Sequence, residues 1–127
     1  MSLYRLLLSA FLPLVLTTGK GQSLSYVFQS ATDGYTCFRI PAVLQTGKGT
    51  LLAFAEARKF SCKDEGRIDL VLKRSTDGGR TWGPLITVWS DGANTCGNPV
   101  PVLDKNTGAI LLLMTWNLAE DAIGTIN

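Results

Sequence analysis

An all-β fold assembled from repeated four-stranded units is predicted by three features of this 127-residue chain. Its apolar runs are short and are broken at close intervals by Gly, Asp, Asn and Pro, with no sustained helical period. One turn is over-specified: in Ser75-Thr76-Asp77-Gly78-Gly79-Arg80-Thr81-Trp82 the glycines supply positive φ cheaply, and the Ser and Asp side chains can accept from nearby backbone N–H groups. Finally, Val100-Pro101-Val102-Leu103 followed by Gly108-Ala109-Ile110-Leu111-Leu112 echoes Ile40-Pro41-Ala42-Val43 followed by Gly49-Thr50-Leu51-Leu52.

Taken in order, residues 1–21 stand apart from the rest. Arg5 precedes an 11-residue apolar run over 6–16, and small or polar residues follow to Gly21, the pattern of a secretory signal peptide. The run is too short to span a bilayer, which takes ~20 residues. A secreted or periplasmic location is therefore expected, with residues 22–127 forming the folded part. Residues 38–44, 50–57, 68–74 and 85–89 read as four antiparallel strands. They are joined by a turn at 45–49, a polar loop at 59–67 and the turn at 75–82.

The echo places Pro41 and Pro101 60 residues apart and opens a second unit. Four-stranded units repeated every ~40–50 residues characterise propeller blades, and loops at 59–67 and 90–98 account for the longer interval here. A β-sandwich is the plainer alternative. A closed propeller needs at least ~4 blades, so the ~105 residues after Gly21 are expected to be part of a larger fold. Alone, such a piece should be prone to aggregate through open edges and apolar faces.

Without residues 1–21, ten basic and ten acidic residues remain, so the slight excess of positive charge offers no argument for nucleic acid as a partner. Histidine is absent, which excludes Ser-His, Cys-His and His-ligated zinc chemistry within these residues. Cys37, Cys62 and Cys96 allow one disulfide and one leftover thiol, with the pairing open, and their spacing does not suggest a metal cluster. Arg39, within an apolar strand, needs an anionic partner if it is buried, and Asp64, Glu65 and Glu56 are the candidates.

Phe38-Arg39-Ile40-Pro41, then Leu51-Leu52-Ala53-Phe54-Ala55-Glu56-Ala57-Arg58, Lys63-Asp64-Glu65, the turn at 75–82 and Gly97-Asn98-Pro99 follow one another in an order that resembles the N-terminal part of secreted bacterial-type exo-α-sialidases. The resemblance implies a six-bladed β-propeller, of which about one and a half blades are present. The turn looks like a structural Asp-box, carried by Ser75, Asp77, Gly79, Thr81 and Trp82.

The implied reaction is hydrolysis of terminal α-linked sialic acid from glycans, glycoproteins or glycolipids, with retention and without a metal or other cofactor. Arg39 matches the first of three arginines that grip the sugar carboxylate, a task suited to a planar guanidinium. Arg58 matches a second pocket arginine near the 4-hydroxyl, Asp64 the acid/base, and Asn98 a rim position where some relatives carry Asp. The nucleophile is a Tyr in this family. That Tyr, its Glu and the remaining arginines are expected beyond residue 127, so the 127-residue chain by itself should be inactive. A Cys62–Cys96 bridge is expected to tie the acid/base loop to the rim, and Trp82, Trp89 and Trp116 are expected in packing roles. The competing readings are a non-catalytic Asp-box propeller that binds glycan or protein, and a trans-sialidase.

Overall fold

Alternating and β-branched sequence, punctuated by turn residues, yields six strands in a computed structural model that describes residues 24–121 and Gly124. The expected leader at 1–21 lies outside the described residues. The strands are β1 (Cys37–Gln45), β2 (Leu51–Arg58), β3 (Ile68–Ser75), β4 (Ile86–Trp89), β5 (Thr95–Leu103) and β6 (Ile110–Asn117). The first four agree with expectation to within a residue at each end.

The β1–β2 turn is closed by Thr46, whose N–H donates to the Thr50 carbonyl at 2.9 Å and whose hydroxyl accepts from the Thr50 N–H at 3.1 Å. Between β3 and β4, the buried Ser75 hydroxyl donates to Asp77 at 2.8 Å and accepts from the Gly79 N–H at 2.9 Å. Asp77 in turn accepts from the Thr81 N–H at 3.0 Å and the Thr81 hydroxyl at 2.6 Å. Hydrogen bonds from Thr81 and Ser75 hold the Asp77 carboxyl far below the ordinary carboxylate range. Gly78 and Gly79 take φ of 75° and 89°, a region that L side chains resist.

Strands β1 to β4 form one antiparallel blade, with β2 buried along almost its whole length. Ala55 and Ala57 are small enough for Phe28, Tyr35 and Phe38 to close over them beside Val71. Asp69 is buried on the same face, where it accepts from the Tyr35 hydroxyl at 2.7 Å and the Ser90 hydroxyl at 2.6 Å, fastening three segments together. Burial, then the bond to Asp69, raises the Tyr35 pKa.

Strands β5 and β6 form an antiparallel pair that meets the first blade through a single parallel pairing, Ile68 with Thr95. The fold is therefore all-β, one four-stranded blade with a strand pair from the next, as a partial propeller requires. No described helix is long and apolar enough to cross a membrane. Val43, Val100, Val102, Leu111 and Leu113 are exposed along the open faces.

Several expectations need correction. Residues 95–98 belong to β5 rather than to a loop. The register of β1 shifts between Arg39 and Ala42, and that of β5 between Gly97 and Val100. Each bulge thus contains a residue of positive φ followed by proline: Ile40 at 51° before Pro41, and Asn98 at 50° before Pro99. The repeat therefore superposes Pro41 on Pro99 rather than on Pro101. Asn98-Pro99, a turn signal by composition, is accommodated as a bulge inside a strand.

The disulfide joins Cys37 to Cys62, with Cα atoms 5.4 Å apart, while Cys96 is buried and free. The pairing of Cys37 with Arg58 at the β1–β2 end brings Cys37 beside the loop that starts there, whereas Cys96 is enclosed within β5. Trp89 and Trp116 do not enter a core: both are more than half exposed, because β4 and β6 are the outermost strands of their units.

Candidate active site

Strand register alone gathers the charged residues. Arg39 lies opposite Glu56 and Cys37 opposite Arg58, so these four share one face at the end of the first blade. In the second unit Gly97 lies opposite Thr115 and Thr95 opposite Asn117, giving the corresponding face a hydroxyl and amide lining. A cleft of about 480 Å³ opens between the two faces, lined by Arg39, Glu56, Arg58, Asp64 and Asn98 together with Trp116.

Arg58 is 2% exposed, which rules out a surface strand-end arginine. All five of its N–H groups find protein oxygens. Nε and Nη2 donate to Glu56 Oε2 at 3.1 and 2.6 Å, Nη1 donates to the Cys62 and Lys63 carbonyls at 2.6 and 2.7 Å, and Nη2 also pairs with Asp64 Oδ1 at 2.6 Å. A buried guanidinium is tolerated only when so completely satisfied. Arg58 thus fixes the loop at 59–67 and aims Asp64 into the cleft.

Glu56, also buried, reaches across to the second unit: its Oε1 accepts the Asn98 N–H at 2.9 Å. This contact depends on Gly97, where a Cβ would overlap the Glu56 carboxylate. The Asn98 side chain donates to the Thr115 hydroxyl at 3.0 Å and closes the rim on that side. Trp116 stands at the cleft edge with its indole N–H donating to Asp91 at 2.7 Å.

Arg39 is not buried. Its side chain is 47% exposed, and it meets Asp64, itself 46% exposed, at 3.5 Å. An exposed pair at that distance contributes only about 0–1 kcal/mol, so an incoming anion can take Arg39 from Asp64 at little cost. The hydrogen bond and charge of Arg58, then the charge of Arg39, lower the Asp64 pKa and favour the ionised carboxylate. Among the described residues no group of three or more His, Cys, Asp or Glu side chains gathers as a metal site would need.

Arg39, Arg58, Asp64 and Asn98 therefore line one cleft, whereas Ser75, Asp77, Gly79, Thr81 and Trp82 form the separate turn between β3 and β4. The sequence marked Glu56 only as a possible partner of Arg39, Gly97 only as part of the Gly97-Asn98-Pro99 motif and Trp116 only as a packing residue, and it assigned Thr115 no role; the structure sets Thr115 and Trp116 in the cleft lining. The two-residue spacing of Glu56 and Arg58 on one strand was the available sign of a buried pair.

No protein-family model matches the chain. It is, however, 44% identical over 90 residues to an exo-α-sialidase of Aspergillus fumigatus, 37% identical over 98 residues to a sialidase of Micromonospora viridifaciens, and 42% identical over 94 residues to sialidase-3 of Mus musculus. These alignments take in 66%, 73% and 69% of the chain but 22%, 15% and 22% of the relatives, so the chain spans about a fifth or less of their length. The solved structure of the Hadza microbial sialidase Hz136 superposes with a TM-score of 0.65 at 33% identity, covering 70% of this chain and 19% of that one. Shared sequence over two thirds of its residues and a shared fold place the chain in the sialidase family.

Proposed function

We propose that the chain contributes the carboxylate-gripping and acid/base side of an exo-α-sialidase active site, acting on terminal α-linked sialic acids of glycans, glycoproteins or glycolipids. The observation that carries this reading is the pairing of an accessible arginine with a positioned carboxylate, Arg39 with Asp64, over a saturated Arg58. The sugar carboxylate would displace Asp64 from Arg39 and form the fork geometry that a guanidinium favours. Losing the Arg39 charge raises the Asp64 pKa, which favours the protonated form that donates to the departing glycosidic oxygen. Protonation also weakens the Asp64–Arg58 pair and frees an Arg58 N–H toward the sugar. After the leaving group departs, Asp64 accepts a proton from the attacking water.

In this reading the nucleophile is a Tyr activated by a Glu, and both lie beyond residue 127 with the remaining arginines of the carboxylate grip. A carboxylate nucleophile would meet the substrate's own carboxylate, a like-charge clash that a tyrosine avoids. Residues 1–21 act as the export signal, and the turn at 75–82 serves as an Asp-box that shapes the blade without contacting substrate.

The test is turnover of a fluorogenic α-sialoside by the complete polypeptide encoded by the gene, with Arg39→Ala and Asp64→Ala variants and the 127-residue chain alone. Release by the complete polypeptide, loss in both variants and no release by the short chain are expected. Wild-type turnover that survives Asp64→Ala would reject the acid/base assignment, and no turnover of any sialoside would favour a binding propeller.

A further inference from the structure

The Cys37–Cys62 disulfide is absent from the chemistry above, yet it joins the two elements that chemistry depends on. Cys37 lies two residues before Arg39 on β1, and Cys62 lies two residues before Asp64 on the loop. We propose that Cys62 is a thiol–disulfide exchange site for low-molecular-mass thiols or dithiols, and that its bond to Cys37 is a latch setting the position of Asp64.

Leverage comes from how little else holds the loop tip. At its base, the Lys59 N–H donates to the Arg67 carbonyl at 3.1 Å, the Gly66 N–H to the Ala119 carbonyl at 3.1 Å, and the Thr95 hydroxyl to the Gly66 carbonyl at 2.7 Å. Between these anchors, residues 60–65 take part in no backbone–backbone hydrogen bond among the described residues. The tip is otherwise held by the disulfide and the Arg58 contacts with Cys62, Lys63 and Asp64, with weaker restraint from the exposed Arg39–Asp64 and Lys63–Glu65 pairs and from the Lys63 N–H donating to the Ser61 hydroxyl. Segments with few hydrogen bonds open locally while the core remains closed.

Access favours Cys62. It is exposed, whereas Cys37 is buried at the start of β1, so a thiolate in solution reaches the Cys62 sulfur first. The first thiolate attacks Cys62 Sγ, forming a mixed disulfide, and the Cys37 sulfur leaves as a thiolate and takes up a proton. A second thiol attacks the mixed disulfide, releasing the oxidised small molecule and leaving Cys62 as a thiol. Two thiols thus supply the two electrons that reduce one protein disulfide. Cys96 is fully buried and its thiol pKa is raised by burial, so it is a poor internal nucleophile for the exchange.

Control of the loop by the disulfide is independent of turnover, whereas its consequence for catalysis rests on the sialidase reading. The full chain is mapped by mass spectrometry without reduction, titrated with dithiothreitol and alkylated. Amide hydrogen exchange is then followed in the oxidised and reduced forms and in a Cys37→Ser/Cys62→Ser variant. The expected results are a Cys37–Cys62 peptide, reduction that makes those two thiols open to alkylation while the buried free Cys96 stays protected, and exchange faster by on the order of tenfold or more at 59–65, with β2 and β3 unchanged. Recovery of Cys37 and Cys62 as free thiols would overturn the proposal. So would unchanged exchange at 59–65 after reduction, or acceleration spread through β2 and β3, which would mark a global staple.

Discussion

Replacing Gly97 by Ala probes the contact that couples the two units without removing any charged group. A Cβ at Gly97 overlaps the Glu56 carboxylate, and that carboxylate has little room to retreat because Arg58 grips it through Nε and Nη2 while the Asn98 N–H holds its other oxygen. Overpacking of this kind costs about 1–3 kcal/mol. Gly47 provides the control: an added Cβ there meets nothing within 4 Å, so Gly47→Ala should stay within about 0.5 kcal/mol of wild type.

Glu56→Asp withdraws the carboxylate by one methylene and keeps its charge. The double variant Gly97→Ala/Glu56→Asp should then be less destabilised than the sum of the singles by about 0.5–3 kcal/mol. Equilibrium urea unfolding read by tryptophan fluorescence, in solutions dilute enough to prevent association, measures the wild type and the four variants. Additive singles, or a Gly97→Ala cost equal to that of Gly47→Ala, would refute the inter-unit clamp.

Three further outcomes are expected. Arg58→Met should destabilise by about 3–5 kcal/mol in the same unfolding assay, because it leaves the buried Glu56 carboxylate without its cation; a loss near zero would mean the pair is not enclosed as described. Ser75→Ala removes a buried hydroxyl that both donates and accepts, and should cost about 1–3 kcal/mol with faster amide exchange confined to 75–82; exchange unchanged there would reject its role in the turn. Asp64 is held below the ordinary carboxylate range chiefly by Arg58 and Asp77 by Thr81 and Ser75, so their stabilising contributions are complete above that range and are lost as pH falls through the lowered folded values. Carboxyl chemical shifts followed during acid titration should show both groups titrating late, and ordinary midpoints would contradict the contacts drawn here.

Much of the first blade was legible because its signals are local. Gly49, Gly78 and Gly79 occupy positions where the backbone needs positive φ, and Ser75, Asp77 and Thr81 close a turn within seven residues of one another. Arg39, Arg58, Asp64 and Asn98 were recognisable as a set from their ordered motifs, and they do line one cleft. Which of them was buried was not legible. Arg39, in an apolar strand, is half exposed, while Arg58 at a strand end is enclosed with Glu56, because burial depends on what the neighbouring unit covers.

The sequence by itself determined the all-β class, the strand limits of the first unit and the chemistry of its turns, since period, φ preference and short-range hydrogen bonding act within a few residues. Only the tertiary structure decided the rest. The bulges at Ile40 and Asn98 reset the repeat from Pro101 to Pro99, Cys62 paired with Cys37 rather than with Cys96, and Gly97 became the opening through which Glu56 reaches Asn98. Each of these depends on register and approach between segments far apart in the chain, where a one-residue shift changes which side chains meet and no local propensity can choose between the alternatives.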